Sequence, residues 1–545
     1  MNTRTTQRQK FWGKEFLQSG LNVADNPIMV PFNQMTLAEN ILVGNTFARR
    51  KRGGQAYFNL NGEDATANYP LNPKNSLTAP PPILGGTQFF YYDINGSSQS
   101  IIAIRQDENL WAIGNRLTAG TLVGNGLPTT GKICFQPFEN KLYWCSSNTN
   151  EGYNKYDPIA NTLTPATPPP DGIPKRLSVH RGRMWCSGVE GFPYRLYYSE
   201  PFNGDNWATT PFGSSGGPAD PGSLDLDSFG DPEGITGHVS FQGNLYVFMR
   251  RAVYEISGST INDFVVRPIS REVGCINHHT IVPVQNDVIY ASERGVLTLN
   301  STDKVMGSQY AYLSRDIAPI WNELVDRNLN DQYHAIFDEI DNLYMLSVPS
   351  LGSQTNDQVL VYNLQSGAGG TAAEIPGMWF TWKGINARCL FKVLVNNIPR
   401  VVAGREDGIL SLTGEAERSD FGSAFNSKFK TGVLYPSGMA DQQHIWKSFT
   451  ILQSTDSPAN IIANYIIDST NSGTRNYFLD NLGDKLTVDF ILGQSALSSG
   501  IYRPRTFALD GEGYGLQLEI NMNDIADVEI YGFLVESMPT KMTYE

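Results

Sequence analysis

The sequence predicts an all-β protein: a β-propeller-like platform with an extended N-terminal arm and a C-terminal antiparallel β-sandwich. Three observations point there. Only 17% of the 545 residues are charged while 11% are aromatic, and there are 52 glycines and 31 prolines, a texture rich in turns and poor in the Lys/Glu surfaces of helices. Short apolar-aromatic runs, each preceded by a turn residue, recur through the middle of the chain. Beyond residue 425 the texture changes to strand-length runs separated by Ser/Asn/Gly turns, of which Leu516-Gln517-Leu518-Glu519-Ile520 alternates strictly, as a half-buried strand does.

Residues 1–80 read as an arm and lead-in. Phe11, Trp12, Phe16 and Leu17 are expected to share one face of a short helix that Gly20 ends. Consecutive prolines at Pro80, Pro81 and Pro82 stiffen the chain and supply no ladder donors, which marks a boundary. Residues 81–420 form the propeller-like domain. Its anchors are Asn109–Trp111, Asn140–Trp144, Gly182–Trp185, Gly243–Phe248, Asn286–Tyr290, Asp341–Leu346 and, more weakly, Asn397–Val402. Several are followed by a second strand-like run, such as Ala252–Ile256 and Gly295–Leu299. Turn, strand, turn, strand is the meander of a propeller blade. The anchors lie 32 to 61 residues apart (Trp111 to Tyr143, Trp185 to Tyr246), so the longer gaps are loop insertions, one of them at Gly213–Gly234. No GH…WD signature is present, and a set of stacked sandwiches is the competing reading. One helix is expected at Ser314–Val325, with Ser314 as N-cap, Pro319 in the opening turns, and Ile317, Ile320/Trp321 and Leu324 on its buried face. Residues 421–545 are the sandwich, with strands at Phe449–Leu452, Ile461–Ile467, Thr506–Leu509, Gly515–Ile520 and Val528–Val535.

The formal net charge is −13, so the chain lacks the broad positive surface that drives phosphate binding and counterion release. Gripping DNA by its backbone is disfavoured; lining a path that DNA passes along is not. No run of 18 apolar residues occurs, which excludes a helical membrane span, and the basic N-terminal residues carry no apolar signal core. The expectation is a chain made and kept soluble in a cytoplasm, or released without Sec-type export.

The search for chemistry finds no active site. Cys134, Cys145, Cys186, Cys275 and Cys389 form no CxxC pair and are read as reduced core residues. His180, His238, His278, His279, His334 and His444 include no HExxH and no i, i+4 pair; His278 and His279 would point to opposite faces of a strand. Asp225, Asp227 and Asp231 with Glu233 lack the register of a calcium loop. Asp338, Glu339 and Asp341 are the paired carboxylates nearest to a glycosidase arrangement, but they precede a strand, where acidic turns are common. Gly213–Gly217 matches GxSxG without the strand and helix an elbow needs. Gly126 through Gly131-Lys132 has P-loop spacing, but Ile133 stands where a Ser/Thr would hold magnesium. Arg49-Arg50-Lys51-Arg52 is the only dense basic run and is read as a subunit contact or solvated loop. No enzyme activity, cofactor or metal is expected.

Three segments resemble the tail nozzle (tail tubular protein B-like) proteins of short-tailed bacteriophages. The first is Gly20-Leu21-Asn22-Val23-Ala24-Asp25-Asn26-Pro27 with Ala38-Glu39-Asn40-Ile41 and Arg50-Lys51-Arg52-Gly53, similar to a GLN-x-x-D-x-P … x-K-R-x-G opening. Asn22 and Asp25 are suited to closing turns and Pro27 to an extended exit, as in a chain strapped across a surface. The second is Gly234-Ile235-Thr236 through Phe248, then Val253–Gly258, Val273-Gly274-Cys275 and Asp287–Val296. The third runs from Lys447–Ile451 to Tyr531–Glu536. The resemblance implies a homo-oligomer, a hexameric ring or tube below the portal and tail adaptor (head-to-tail connector), with fibres or spikes nearby and genomic dsDNA passing through without specific binding. It implies a virion protein assembled in the host cytoplasm, with no stable membrane insertion and no catalysis. An acidic bore would keep phosphates from sticking, and six copies with Asp/Glu dominating the lumen are expected. The alternatives are a carbohydrate-binding or carbohydrate-cleaving propeller acting in receptor recognition, or a collar or decoration ring elsewhere on the particle.

Overall fold

A computed structural model describes residues 9–13, 20–43, 48–58, 81–114, 120–209, 217–226, 234–260, 262–304, 312–364, 378–415, 418–436, 442–455, 457–469, 471–479 and 503–540. Within them the seven anchor runs fall in seven different sheets, each containing an antiparallel meander of three or four strands. Blade 1 comprises Ile83–Tyr92, Ser98–Gln106, Asn109–Ile113 and Thr121–Gly124; blade 2 comprises Ile133–Phe138, Lys141–Ser146, Asn154–Asp157 and Thr162–Pro165. Blade 3 is Arg176–His180, Arg183–Ser187, Arg195–Tyr198 and Gly222–Asp225, and blade 4 is Ile235–Phe241, Asn244–Met249, Val253–Ser257 and Val265–Ser270. Blade 5 is Val282–Val284, Asp287–Ser292 and Gly295–Thr298, and blade 6 is His334–Asp338, Leu343–Val348, Gln358–Asn363 and Met378–Lys383. Blade 7 is Ala387–Val395, Ile398–Arg405 and Leu410–Glu415, completed by the N-terminal strand Gly54–Tyr57.

The anchors were visible because of their turns. Two-residue hairpins match strand twist in the primed turns, of which type I′ has positive φ at both central residues. Glu139-Asn140, Arg181-Gly182, Gln242-Gly243 and Asn396-Asn397 all do, in blades 2, 3, 4 and 7. Six anchors are second strands of their blades; Asn109–Ile113 is the third strand of blade 1, which accounts for its short spacing to the next.

First strands of successive blades meet side by side. Ser178 and His180 of blade 3 bond to His238 and Ser240 of blade 4, and the Thr236 hydroxyl donates to Cys275 O on the way into blade 5. Asn277 Nδ2 donates to Tyr333 O beside blade 6, and Leu390 N of blade 7 donates to His334 Nδ1. Leu394 N of blade 7 then donates to Gln88 Oε1 of blade 1 at 2.6 Å, closing the circle. Such closure protects sheet edges that would otherwise recruit other strands.

Close approach explains the Val273-Gly274-Cys275 segment. Cys275 N donates to Met249 O at 2.9 Å, and a Cβ on Gly274 would lie 2.0 Å from Met249 O and 2.7 Å from Ala252 O. Gly274→Ala is therefore expected to cost about 1–3 kcal/mol through backbone displacement. Urea unfolding checks this, and an unchanged midpoint would refute it.

The C-terminal region is a two-sheet sandwich laced to the propeller by the arm. Met35–Glu39 runs parallel to the last strand of blade 6 and antiparallel to Ser427–Thr431. From there the same sheet continues through Leu516–Met522, Ala459–Ile467 and Asn471–Leu479. The facing sheet holds Ile41–Val43, Arg49–Lys51, Val528–Pro539, His444–Thr455 and Arg503–Gly513. One continuous core joins blade 6 residues such as Leu346 and Val361 to sandwich residues such as Phe449, Leu518 and Phe533.

Four local expectations are corrected. Gln9–Gly13 is a strand paired with Val528–Pro539, not a helix; Phe16 and Leu17 lie outside the described residues. Pro27 does not start an extended exit: it occupies the second position of a turn closed by Met29 N to Asn26 O at 2.7 Å, which its fixed φ favours. The helix at 314–325 is a 3-10 turn, Arg315–Ile317, followed by a wide π turn, Ile320–Leu324. Ile317 and Trp321 are buried, but Leu324 is 55% exposed. Ser314 makes no side-chain cap of that helix; its hydroxyl accepts from Val296 N instead.

Candidate functional site

Two places concentrate ionisable groups: the propeller axis and the arm junction. At the axis, blades 4, 5 and 6 bring four histidines into one row. His238 and His278 have ring centroids 5.5 Å apart, His278 and His279 likewise, and His279 stacks on His334 at 5.1 Å. His278 and His279 do not sit on a strand. They occupy a 3-10 turn, His278–Thr280, whose cap residue Asn277 accepts from His279 N, and the turn sets His278 against His238 and His279 against His334. Ser178 Oγ lies 2.6 Å from His238 Nδ1, His180 Nδ1 lies 2.8 Å from Ser240 Oγ, and Cys134 Sγ lies 3.5 Å from His278 Nε2. Burial pushes His238, His279 and His334 well below the usual imidazole range and His180 down to about 4, because the charged form loses its water.

Lys132, in the formal P-loop match, is buried beside the row. Its ammonium donates to the backbone carbonyls of Gln332 and Tyr333, and burial pulls its pKa to about 7. It borders a cavity of about 170 Å³ with Asn356, Arg388 and Glu406. No helix follows Lys132, since blade 2 begins there, so nothing forms a phosphate cradle. Among the described residues no three His, Cys, Asp or Glu side chains are arranged to hold a metal ion. The rings of His238, His278, His279 and His334 pack on one another in turn, and burial holds His238, His279 and His334 below the usual imidazole range.

The arm junction overturns the solvated-loop reading of the basic run. Arg49, Lys51 and Arg52 are fully buried. Arg49 donates to Asn33 O at 3.0 Å and lies 4.9 Å from the Phe429 ring centre. Lys51 donates to the carbonyls of Arg418 and Asp524. Arg52 makes a bidentate pair with Asp420 at 2.6 and 2.9 Å, donates to Asn40 Oδ1, Gly53 O and Lys383 O, and stacks 4.0 Å over Phe425. Burial lowers Arg49 to about 9 and Lys51 to about 8. The guanidinium of Arg52 thus ties the arm to blade 6 and to the segment that leaves blade 7. Upstream, Asn22 is buried, accepts from Ala24 N and Asp25 N, and donates to Gln34 Oε1.

The acidic candidates do not converge on a reaction centre. Asp225 pairs with Arg195 at 2.6 Å, while Asp227, Asp231 and Glu233 lie outside the described residues, as does most of Gly213–Gly217. Glu339 pairs with Lys392 at 2.5 Å. Asp338 and Asp341 line a cavity of about 340 Å³ together with Arg50, Arg400, Arg418 and Asp527. Three carboxylates there face three guanidinium groups, and no aromatic side chain lines the cavity. Sequence reasoning missed the histidine row, although a signal was present: His238 and His334 both stand in first strands, of blades 4 and 6, each a few residues before the strand ends.

No family model and no curated protein matches the chain. Among solved structures, it is similar to BBS1N in complex with ARL6DN (12% identity, 68% of this chain and 98% of that chain, TM-score 0.39). It is also similar to a computationally designed protein, Ika8 (10% identity, 73% and 99%, TM-score 0.34), and to a chain of the Mitotic Checkpoint Complex (10% identity, 64% and 96%, TM-score 0.37). At these scores the likenesses carry no functional argument, and the all-β, propeller-like fold rests on the blade topology itself.

Proposed function

We propose that this chain is a structural virion protein of a tailed bacteriophage, forming a hexameric tail nozzle or tube ring below the portal and adaptor that conducts and gates DNA during ejection. The observation that carries this reading is the arm. The segment with the nozzle-like opening, Leu21–Asn22 and Arg50–Gly53, is the one that laces propeller to sandwich through buried polar contacts. A protomer stiffened in this way suits a wall that must resist pressure. The acidic balance of the chain suits a bore that repels phosphate. In this reading the DNA path lies between protomers, with tail adaptor and fibres or spikes attached to the ring.

Cryo-EM of the purified protein, or of particles that contain it, tests the proposal. A sixfold ring with an Asp/Glu-dominated bore supports it; a solitary molecule in the particle or a basic bore overturns it. The carbohydrate reading requires an aromatic-lined pocket with convergent carboxylates, and the balanced, aromatic-free cavity at Asp338 does not supply one.

A further inference from the structure

Three of the five cysteines, Cys134, Cys145 and Cys186, share one core cluster between blades 2 and 3. Two of them are directly opposed: Cys134 on the first strand of blade 2 faces Cys145 on the second. Opposed residues on antiparallel strands have Cα atoms about 4.5–5.5 Å apart, within the ~4.4–6.8 Å that a disulfide spans. Cys186 instead faces Leu177, and Cys389 faces Gly404, so neither has a thiol across its ladder.

The two opposed sulfurs have different surroundings. Cys134 Sγ receives Leu177 N at 3.4 Å and lies 3.5 Å from His278 Nε2 at the axis. A hydrogen bond from Cys145, then the neighbouring His278, hold the Cys134 thiol well below its usual range, while burial pushes Cys145 well above. One sulfur is set up to carry charge and the other to keep its proton. Cys134 is 5% exposed and Cys145 fully buried, so the oxidant class that fits is a small diffusible peroxide rather than a protein disulfide.

We infer that Cys134 and Cys145 form an oxidisable dithiol in which Cys134 is attacked first and Cys145 resolves it. The Cys134 thiolate attacks a peroxide oxygen, the O–O bond breaks, and a sulfenic acid forms with release of water after protonation. The Cys145 sulfur then attacks the Cys134 sulfur, the S–O bond breaks, and a second water leaves. Two thiols lose two electrons and two protons, and one hydrogen peroxide becomes two waters. The product staples the first hairpin of blade 2 across its turn at Glu139-Asn140. The inference does not depend on the tail-nozzle reading.

The test treats the folded full-length protein with hydrogen peroxide at pH 7, alkylates the remaining thiols and maps peptides by mass spectrometry. The expected result is a Cys134–Cys145 cross-linked peptide, reversed by dithiothreitol, with Cys186, Cys275 and Cys389 still alkylated. C145S is expected to stop at a Cys134 sulfenic acid that dimedone captures, and C134S to leave Cys145 unmodified. Both serine variants are close in size to the native residue, and matching circular dichroism spectra confirm their fold. Persistence of both thiols in the folded wild type, or primary sulfenic acid on Cys145, would overturn the inference.

Discussion

Arg52→Ala is expected to lower stability by about 3–5 kcal/mol, the usual cost of removing one partner from a buried ion pair. The guanidinium of Arg52 is wholly buried and Asp420 is 17% exposed, so the carboxylate left behind would recover little water. Four further contacts are lost at once, to Asn40 Oδ1, Gly53 O, Lys383 O and the Phe425 ring, although Asn40 Oδ1 keeps Lys383 N and the ring keeps Lys51. Lysine does not substitute, because a point ammonium cannot bond Asp420 through two parallel N–H groups while also reaching Asn40 and Lys383; Arg52→Lys should recover less than half of the loss. Urea unfolding of wild type, R52A, D420A and the double variant would give the coupling directly. Exposed pairs in the same molecule, such as Arg475–Asp510, should show at most about 1 kcal/mol. A loss that small for R52A would mean that the arm is not held by this contact.

The same residues show why parts of the molecule were legible in sequence and parts were not. Blade strands announce themselves locally: an apolar run after a tight turn is a short-range signal, and Glu139-Asn140 or Gln242-Gly243 set the register within a few residues. The arm has no such signal. Gln9–Gly13 finds its partner at Val528–Pro539, more than five hundred positions away, and its two apolar residues, Phe11 and Trp12, are too few to set a helix or strand period. Arg49–Arg52 looks solvated because its acceptors, Asp420 and the carbonyls of Lys383, Arg418 and Asp524, are scattered through the rest of the chain. The thiol pair was hidden for a related reason, since eleven positions of sequence separate residues that the Glu139-Asn140 hairpin places face to face.

The axis yields the second large effect, in acid. His180, His238, His279 and His334 all have folded-state values below the unfolded imidazole value of 6.5. Between the folded and unfolded values the unfolded chain binds more protons, so stability falls as pH drops below about 6.5 and keeps falling until the folded values are reached. Each excluded proton contributes a slope of about 1.4 kcal/mol per pH unit. Several histidines acting together make this the steepest pH dependence of the protein between pH 6.5 and 5, a window above the usual carboxylate range. Repulsion reinforces the effect, because Lys132 faces His279 and His334, and Arg176 faces His238 and His279. Chemical denaturation at pH 7, 6 and 5 should therefore show a progressive loss. His279→Gln and His334→Gln, each keeping a polar side chain of similar reach, should each flatten the slope by about one proton. A flat profile over that window, or a slope indifferent to both substitutions, would mean that the row is hydrated and charged. In that case the ring contacts that join blade 4 to blade 6 would be looser than their 5.1–5.5 Å spacings imply.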